Sequence, residues 1–401
     1  MFNTHVYFGW QRGISNDPLM SFLLVITLLA IAYIQVGYAC IMWALAKMRS
    51  HPQASESPMP EAVSIVLCIH NGAGRIQERL KNLAACPWEG EREYIVFCDG
   101  CEDDSAELAA SSGVKNVRVL SHPKQRGKWA ALNDSVKSAR HPIIIFADLR
   151  QSFDEHALQR LAEAFNNPEV GAASGLLTIA KSESGAGRGV DLYWRMETRL
   201  RECEARVDSV IGCTGAIYAI RRELYTDLQP DTILDDVVVP MQIALKGWRI
   251  AYVPTALAFD PQTLDPAKES ERKLRTLVGN YQMIERHPGW LLPWRNRLWI
   301  QLISHKYARL AVPWLMIIAF ALNAAAPKTP LIWLLLTCQT ACYGLGIAGC
   351  AFGGLRSRLV TVPAGFLMLQ WSCARALLTY MRCRHSPLSL WGKKPDGRQL
   401  A

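Results

Sequence analysis

No charged side chain occurs between positions 19 and 46 of the chain. An uncharged stretch of that length excludes an ordinary soluble start and reads as a membrane span. A cleavable leader would have a shorter apolar region and a small-residue cleavage site. Here Lys47 and Arg49 follow directly, so a retained anchor is expected. A second C-x-x-C pair is also missing. Cys98-Asp99-Gly100-Cys101 stands alone, which gives a zinc or redox reading little support, and the 12 cysteines read as small apolar residues of a protein facing the cytoplasm. No repeat or low-complexity tract stands out. Despite a net charge of +9, the basic residues form no aromatic-interleaved stripe, and this argues against nucleic acid as a partner.

What is present is apolar to 50% and arranged in blocks. After the region 1–50 with its anchor at 19–46, apolar stretches return at 310–326, at 331–355 and, more weakly, from 359 until Arg375 interrupts, so 310–380 is expected to hold two or three spans. Lys47 and Arg49 after the anchor, and Arg356 and Arg358 between later stretches, put the soluble middle on the cytoplasmic side by the positive-inside rule. Four full spans would leave the basic tail 381–401, with Arg382, Arg384, Lys393, Lys394 and Arg398, on the far side. Either the segment holding Arg375 lies in the interface or the rule bends. Residues 290–309, which mix tryptophans with Arg295, Arg297, Lys306 and Arg309, suit an amphipathic helix in the headgroup layer.

Three prolines and two serines in 51–61 mark a linker. The middle, 62–289, is long enough for one sizeable α/β domain. Short apolar runs at 63–69, 94–98, 117–120 and 143–146 alternate with helical patterns beginning at Ile76, Ala106 and Trp129, the signature of a parallel sheet. Loops 71–74, 99–105 and 148–151 then converge on the carboxyl edge, where open α/β sheets hold ligands. Asp and Asn there could equally serve as turn formers and helix caps.

These motifs together resemble the inverting family-2 glycosyltransferases of GT-A fold. The chain is similar to their membrane-anchored branch, which includes cellulose synthase, hyaluronan synthase, poly-N-acetylglucosamine synthase and ceramide glucosyltransferase. The resemblance runs over about 63–289. "FCDGCEDDSAELA" resembles the family's Asp-Gly-Ser-x-Asp-Gly-Thr turn, implying that Asp99 and Asp103, with Asn71, contact the nucleotide. "RGKWAALN" resembles Gly-Lys-x-x-Ala-Leu-Asn and makes Lys128 a candidate for the nucleotide or diphosphate. Asp148 matches the first acid of Asp-X-Asp, which the resemblance implies as a ligand of Mg2+ or Mn2+, but Arg150 stands where the second acid belongs. "GCTGAIYAIRREL" implies that Gly212, Thr214 and Gly215 lie near the transferred sugar and acceptor. "ILDDVVVPMQIALKGW" implies Asp236 as the base, beside Asp235, and Arg272 and Arg275 match a motif that closes over the diphosphate.

Three departures stand out: Arg150, Gly72 where relatives often have Glu, and Thr276 in place of a tryptophan. A guanidinium would repel a divalent ion or reach the diphosphate itself. Alternatively Arg150 points away to Asp154 or Glu155, and Asp148 holds a weaker metal through waters. Asp235-Asp236 could be an acid pair serving a helix dipole, and Arg272 and Arg275 a solvated basic face at a membrane. The resemblance implies a hexosyl- or N-acetylhexosaminyltransferase, multi-pass in a bacterial inner membrane with its catalytic domain in the cytoplasm. It would move sugar from a UDP-sugar or similar donor to a glycan acceptor, among membrane lipids and with possible subunits of a glycan export system. Single transfer to a lipid acceptor and an inactive nucleotide-sugar-binding subunit are the alternatives.

Overall fold

The protein, seen in a computed structural model, is described over residues 18–49, 59–179, 187–261, 266–352 and 357–384. Most of the linker at 51–61 and of the tail at 381–401, and Arg356, lie outside the described residues. Four strands lie parallel: β1 (Ala62–Ile69), β2 (Glu91–Asp99), β3 (Val117–His122) and β4 (Ile143–Ala147). β1, β2 and β4 carry near-continuous apolar runs because both faces are covered, whereas β3, at the edge, holds Arg118 and is only partly buried. Alternation still sorts the side chains. Ile65 and Leu67 of β1, Tyr94 and Val96 of β2, and Ile143 and Ile145 of β4 enter one core with Ile76, Leu80 and Leu83. Val66, Ile95, Ile144 and Phe146 enter the core on the opposite face.

The sheet continues through β5 (Ser152–Phe153), β6 (Val170–Ile179), β7 (Ile217–Arg221) and β8 (Arg249–Asp260), in the order β3-β2-β1-β4-β7-β6-β8-β5. β7 is antiparallel to β4 and to β6, so the sheet is mixed. The chain leaves β1 toward β2 on one side and returns to place β4 on the other. Loops at the carboxyl ends of β1 and β4 therefore open a crevice at a topological switch point.

Helices occur as α1 (Pro18–Ala32), α2 (Tyr38–Met48), α3 (Ile76–Ala85), α4 (Ser105–Ala110), α5 (Lys128–Ser138), α6 (Ala157–Glu163), α7 (Gly187–Val207), α8 (Asp235–Leu245) and α9 (Pro266–Arg286). Beyond them come α10 (Trp299–Gln301), α11 (Ala308–Ala325), α12 (Pro330–Ala351) and α13 (Arg358–Cys383). The described residues divide into two compact units, one drawn from 37–310 and 372–384 with the whole sheet, the other from 18–36 and 311–371. In the second, Leu24, Ala319, Ala326 and Ile332 cluster.

Among the described residues three helices are long and apolar enough to cross a membrane: Leu19–Met48, Trp299–Ala325 and Pro330–Ala351. α13 is not among them, and Arg375 and Arg382 lie within it. The stretch 290–309, expected as one amphipathic helix, is a 3-10 turn ending at Leu291, a loop, and then the opening turns of the second span. Asn296 shapes that loop, donating to Trp290 O at 2.9 Å and accepting from Leu298 N at 2.9 Å.

Candidate active site

Lys128 opens α5 immediately after Gly127, whose φ of +102° is one that residues with a side chain rarely adopt. That turn is held by Asp99 at the end of β2. Its carboxylate accepts from Arg126 N at 2.9 and 3.1 Å and from Gly127 N at 2.7 Å, and it is buried. Lys128 Nζ thereby stands 3.3 Å from Asp148 Oδ1, beyond β4, and 3.2 Å from Asp235 Oδ2, at the start of α8. One ammonium thus joins three elements. Burial alone would lower the Lys128 pKa, but Asp148, Asp235 and Asp236 together hold it above its ordinary value.

Asp236 is only partly covered, and its carboxyl is pushed up to about 6, by burial first and by neighbouring Asp235 second, against the pull of Lys128. Two adjacent acids resist double ionisation. Asp235 takes the Lys128 partner and is buried, leaving Asp236 as the carboxylate with raised proton affinity. The 212–215 loop lies against it. Cys213 N donates to Asp236 O at 2.7 Å, and a Cβ on Gly215 would sit 3.1 Å from Asp236 Oδ2, so glycine permits the close approach. Burial lowers the Arg275 pKa, opposed by Asp235, Asp148 and Asp236, which places that guanidinium in the field of the same acids.

Arg150 pairs with neither Asp154 nor Glu155. Its guanidinium bonds Asp260 at the end of β8, a carboxylate 2% exposed, which also takes Gln151 Nε2 at 3.2 Å and lies 3.5 Å from Arg272 Nη1. Asp154 pairs with Arg160 instead, at 2.8 Å. Sequence reasoning missed Asp260. Its only signal was an acid ending an apolar alternation, and its partner Arg150 lies 110 positions away.

Asn71 and Asp103 tie loop to loop. Asn71 Oδ1 accepts from Glu102 N at 2.8 Å, and Asp103 Oδ2 accepts from Ala73 N at 2.9 Å. With Asp99 they build the crevice wall through backbone groups, the capping role that the sequence reading had kept open. Gly72 lies under Leu149, whose Cδ2 would be 2.5 Å from an added Cβ, so a side chain there requires Leu149 to move. Thr276 is exposed and donates to Arg272 O at 3.1 Å, within its own helix. Cys101 is structural, donating to Ile69 O at 3.7 Å and accepting from Asn71 N at 3.4 Å.

Among the described residues no group of three or more His, Cys, Asp and Glu is placed to hold a divalent ion. Asp148 is the one acid left of the Asp-X-Asp pattern, with Lys128 on it and Arg150 turned to Asp260. This set does not fit a protein-caged metal, since hard cations need several oxygen ligands.

The model of the glycosyltransferase-like family 2 matches residues 60–279. The chain belongs to the family-2 glycosyltransferases. It is 26% identical over 212 residues to the poly-beta-1,6-N-acetyl-D-glucosamine synthase of Staphylococcus aureus, 51% of each chain, and 25% identical over 214 residues to that of Staphylococcus epidermidis. This family-2 chain thus spans about half the length, 51%, of the curated relatives it matches. In structure it is similar to a mannosyltransferase from Pyrobaculum calidifontis in complex with GDP-Man and Mn2+, with a TM-score of 0.69, 19% identity, and coverage of 90% of this chain and 99% of that one. The core is therefore the Rossmann-like GT-A fold expected from the motifs.

Proposed function

We propose that this family-2 glycosyltransferase is a membrane-bound, inverting enzyme that moves a sugar from a nucleoside-diphosphate donor to a glycan acceptor in exopolysaccharide synthesis. The observation that carries the reading is Lys128 bridging Asp148 and Asp235, next to Asp236 with its raised proton affinity, at the carboxyl edge of the sheet. Inverting transfer needs one base and a positive receptacle for the departing diphosphate. Asp236 takes the acceptor hydroxyl's proton as that oxygen attacks the anomeric carbon. Lys128 and Arg275 receive the charge that develops on the leaving group, with the Arg150 and Arg272 guanidiniums behind them. Asp148, Asp99, Asp103 and Asn71 shape the donor crevice, and Gly212, Thr214 and Gly215 the acceptor side.

The poly-N-acetylglucosamine synthases among its relatives support an N-acetylhexosamine polymer as the product. The mannosyltransferase solved with Mn2+ supports a divalent ion in general; the described residues around Asp148 build no protein cage for one, so an ion here would be held by Asp148 together with the donor's phosphates, and no step is assigned to it. Lys47 and Arg49 after the first span support a cytoplasmic catalytic domain in a bacterial inner membrane.

The deciding experiment screens nucleotide release from UDP- and GDP-sugars by purified protein in lipid, with sizing of products. Release with a ladder of oligomers is expected. A single glycolipid would move the reading to one-step lipid glycosylation. No turnover of any nucleotide sugar would refute enzymatic activity. Orientation is checked with a cysteine at position 55: modification by an impermeant reagent in intact cells contradicts a cytoplasmic domain.

A further inference from the structure

One face of α7 carries Glu197, Arg201 and Glu204, spaced four and three residues apart and so aligned along the helix. Arg201 is directed at the transfer site. Its Nη1 donates to Thr214 Oγ1 at 3.0 Å, and its Nη2 to Ser174 Oγ and Gly212 O, each at 2.9 Å. The guanidinium lies over the Tyr252 ring, 4.6 Å from its centroid, so β8 supports its flat face. Ser174 is fully buried on β6 and also accepts from Thr214 N at 2.9 Å, while Thr214 Oγ1 donates to Gly175 O at 2.9 Å. The fork of one arginine thus fixes two residues of the loop whose neighbours touch Asp236.

α7 is itself pinned on both sides of Arg201. Glu197 Oε1 lies 2.7 Å from His305 Nε2, and its Oε2 accepts from Arg309 Nη1 at 3.2 Å. Glu204 Oε1 lies 2.8 Å from His305 Nδ1 and accepts from Tyr38 OH at 2.6 Å. One imidazole clasps both glutamates, and Tyr38 adds α2 to the clasp. The helix that carries Arg201 therefore cannot slide without breaking buried polar contacts, whose loss is costly.

We propose that Arg201 is a positioning residue for the transfer step. It sets the 212–214 backbone, and through it Gly215, against the Asp236 carboxylate. The proposal deepens the reading of Asp236 as base and rests on it. A planar fork reaches several acceptors at once, which a lysine ammonium on a flexible stem does not reproduce. Displacement of a base by about 1 Å costs on the order of 10²-fold in rate.

The test uses the full chain in lipid, with Arg201→Gln, Arg201→Lys and Ser174→Ala measured beside the parent. Arg201→Gln is expected to lower kcat by about 10²-fold with the donor KM within about threefold, Arg201→Lys to keep more activity, and Ser174→Ala to lose about tenfold. Hydrogen exchange supplies a readout independent of activity. The amides of Cys213, Thr214 and Ile217, bonded to Asp236 O, Ser174 Oγ and Thr214 O, are expected to exchange faster in Arg201→Gln while those of β1–β4 do not change. Unchanged exchange around 213–217 overturns the proposal even if the parent proves inactive, and parental inactivity alone counts only against the reading of Asp236. Faster exchange with kcat within about twofold of parent also overturns it, as does a loss confined to KM. If Arg201→Gln loosens the whole sheet, Ser174→Ala and Arg201→Lys decide: kcat within about twofold of parent in both refutes the assignment.

Discussion

Replacing Asp236 by asparagine removes a proton acceptor while keeping the side chain's shape beside Gly215, and the structure sets the size of the loss. The carboxyl is pushed up from an ordinary 3.8 to about 6. The ionised form is the base, so activity must rise with pH through that value and level off above it. The parent should run at about half its plateau rate at pH 6 and at about a tenth at pH 5. An aspartate at the ordinary value would lose less than about a tenth of its rate at pH 5. Asp236→Asn is expected to cost about 10²- to 10⁴-fold at neutral pH, to lose the acid limb, and to bind donor as before. Nucleotide release at saturating acceptor, measured from about pH 4.5 to 8, resolves these cases. A parental rate flat down to pH 5, or an asparagine variant with more than about a tenth of parental turnover, refutes the assignment.

Lys128→Met should lower stability by about 3 kcal/mol, read as a drop in thermal midpoint, because Asp235 is buried and loses its counter-charge. Adding Asp235→Asn should recover most of that loss, and no recovery would mean that the pair is not coupled. Gly215→Ala puts a methyl group 3.1 Å from Asp236 Oδ2 and should cut kcat by about 10- to 100-fold with little change in thermal midpoint; a fall below about twofold would show that the loop does not set the carboxylate. Arg150→Asp would face the buried Asp260, so it is made together with Asp260→Asn. The double variant should depend more steeply on magnesium or manganese than the parent, and parental activity that vanishes in chelator and returns at the same low metal concentration would show that Arg150 does not stand in for an ion.

The parallel half of the sheet was legible because β1, β2 and β4 are covered on both faces and carry the apolar runs 65–69, 94–98 and 143–147. β6 was not. After Val170 it runs through Gly171, Ala172, Ala173, Ser174 and Gly175, and a Cβ on Gly175 would meet Ala256 O at 2.6 Å, so backbones pack too closely there for large side chains. Small residues carry no hydrophobic period. The cluster of Lys128, Asp148, Asp235 and Asp236 followed from strand ends and motif order, since each residue lies next to an element boundary. The detailed work of Asn71, Asp99 and Asp103 did not, because a carboxylate that caps a turn and one that awaits a ligand look alike in sequence. Arg201 and Asp260 were unreadable for another reason. Their partners come from other elements, and only the fold brings them together.

The Arg150–Asp260 pair changes what the lost acid of Asp-X-Asp means. Two acids after β4 would create a site that is complete only when an exchangeable cation arrives. Here the positive charge is built in, yet a lone guanidinium on a short loop would sample many positions. Asp260 removes that freedom, and it draws in Arg272 as well, so that the β4 loop, the end of β8 and α9 meet at one buried carboxylate. Two guanidiniums are thereby held at one carboxylate by the fold. Asp260 Oδ1 has no hydrogen-bond partner, which adds to the demand for positive charge at this point. In the proposed reaction, guanidiniums fixed in this way act with Lys128 and Arg275 on the diphosphate charge without waiting for an ion. Preorganised charge of this kind favours the departing group over the bound donor, because the negative charge it answers grows as the bond breaks.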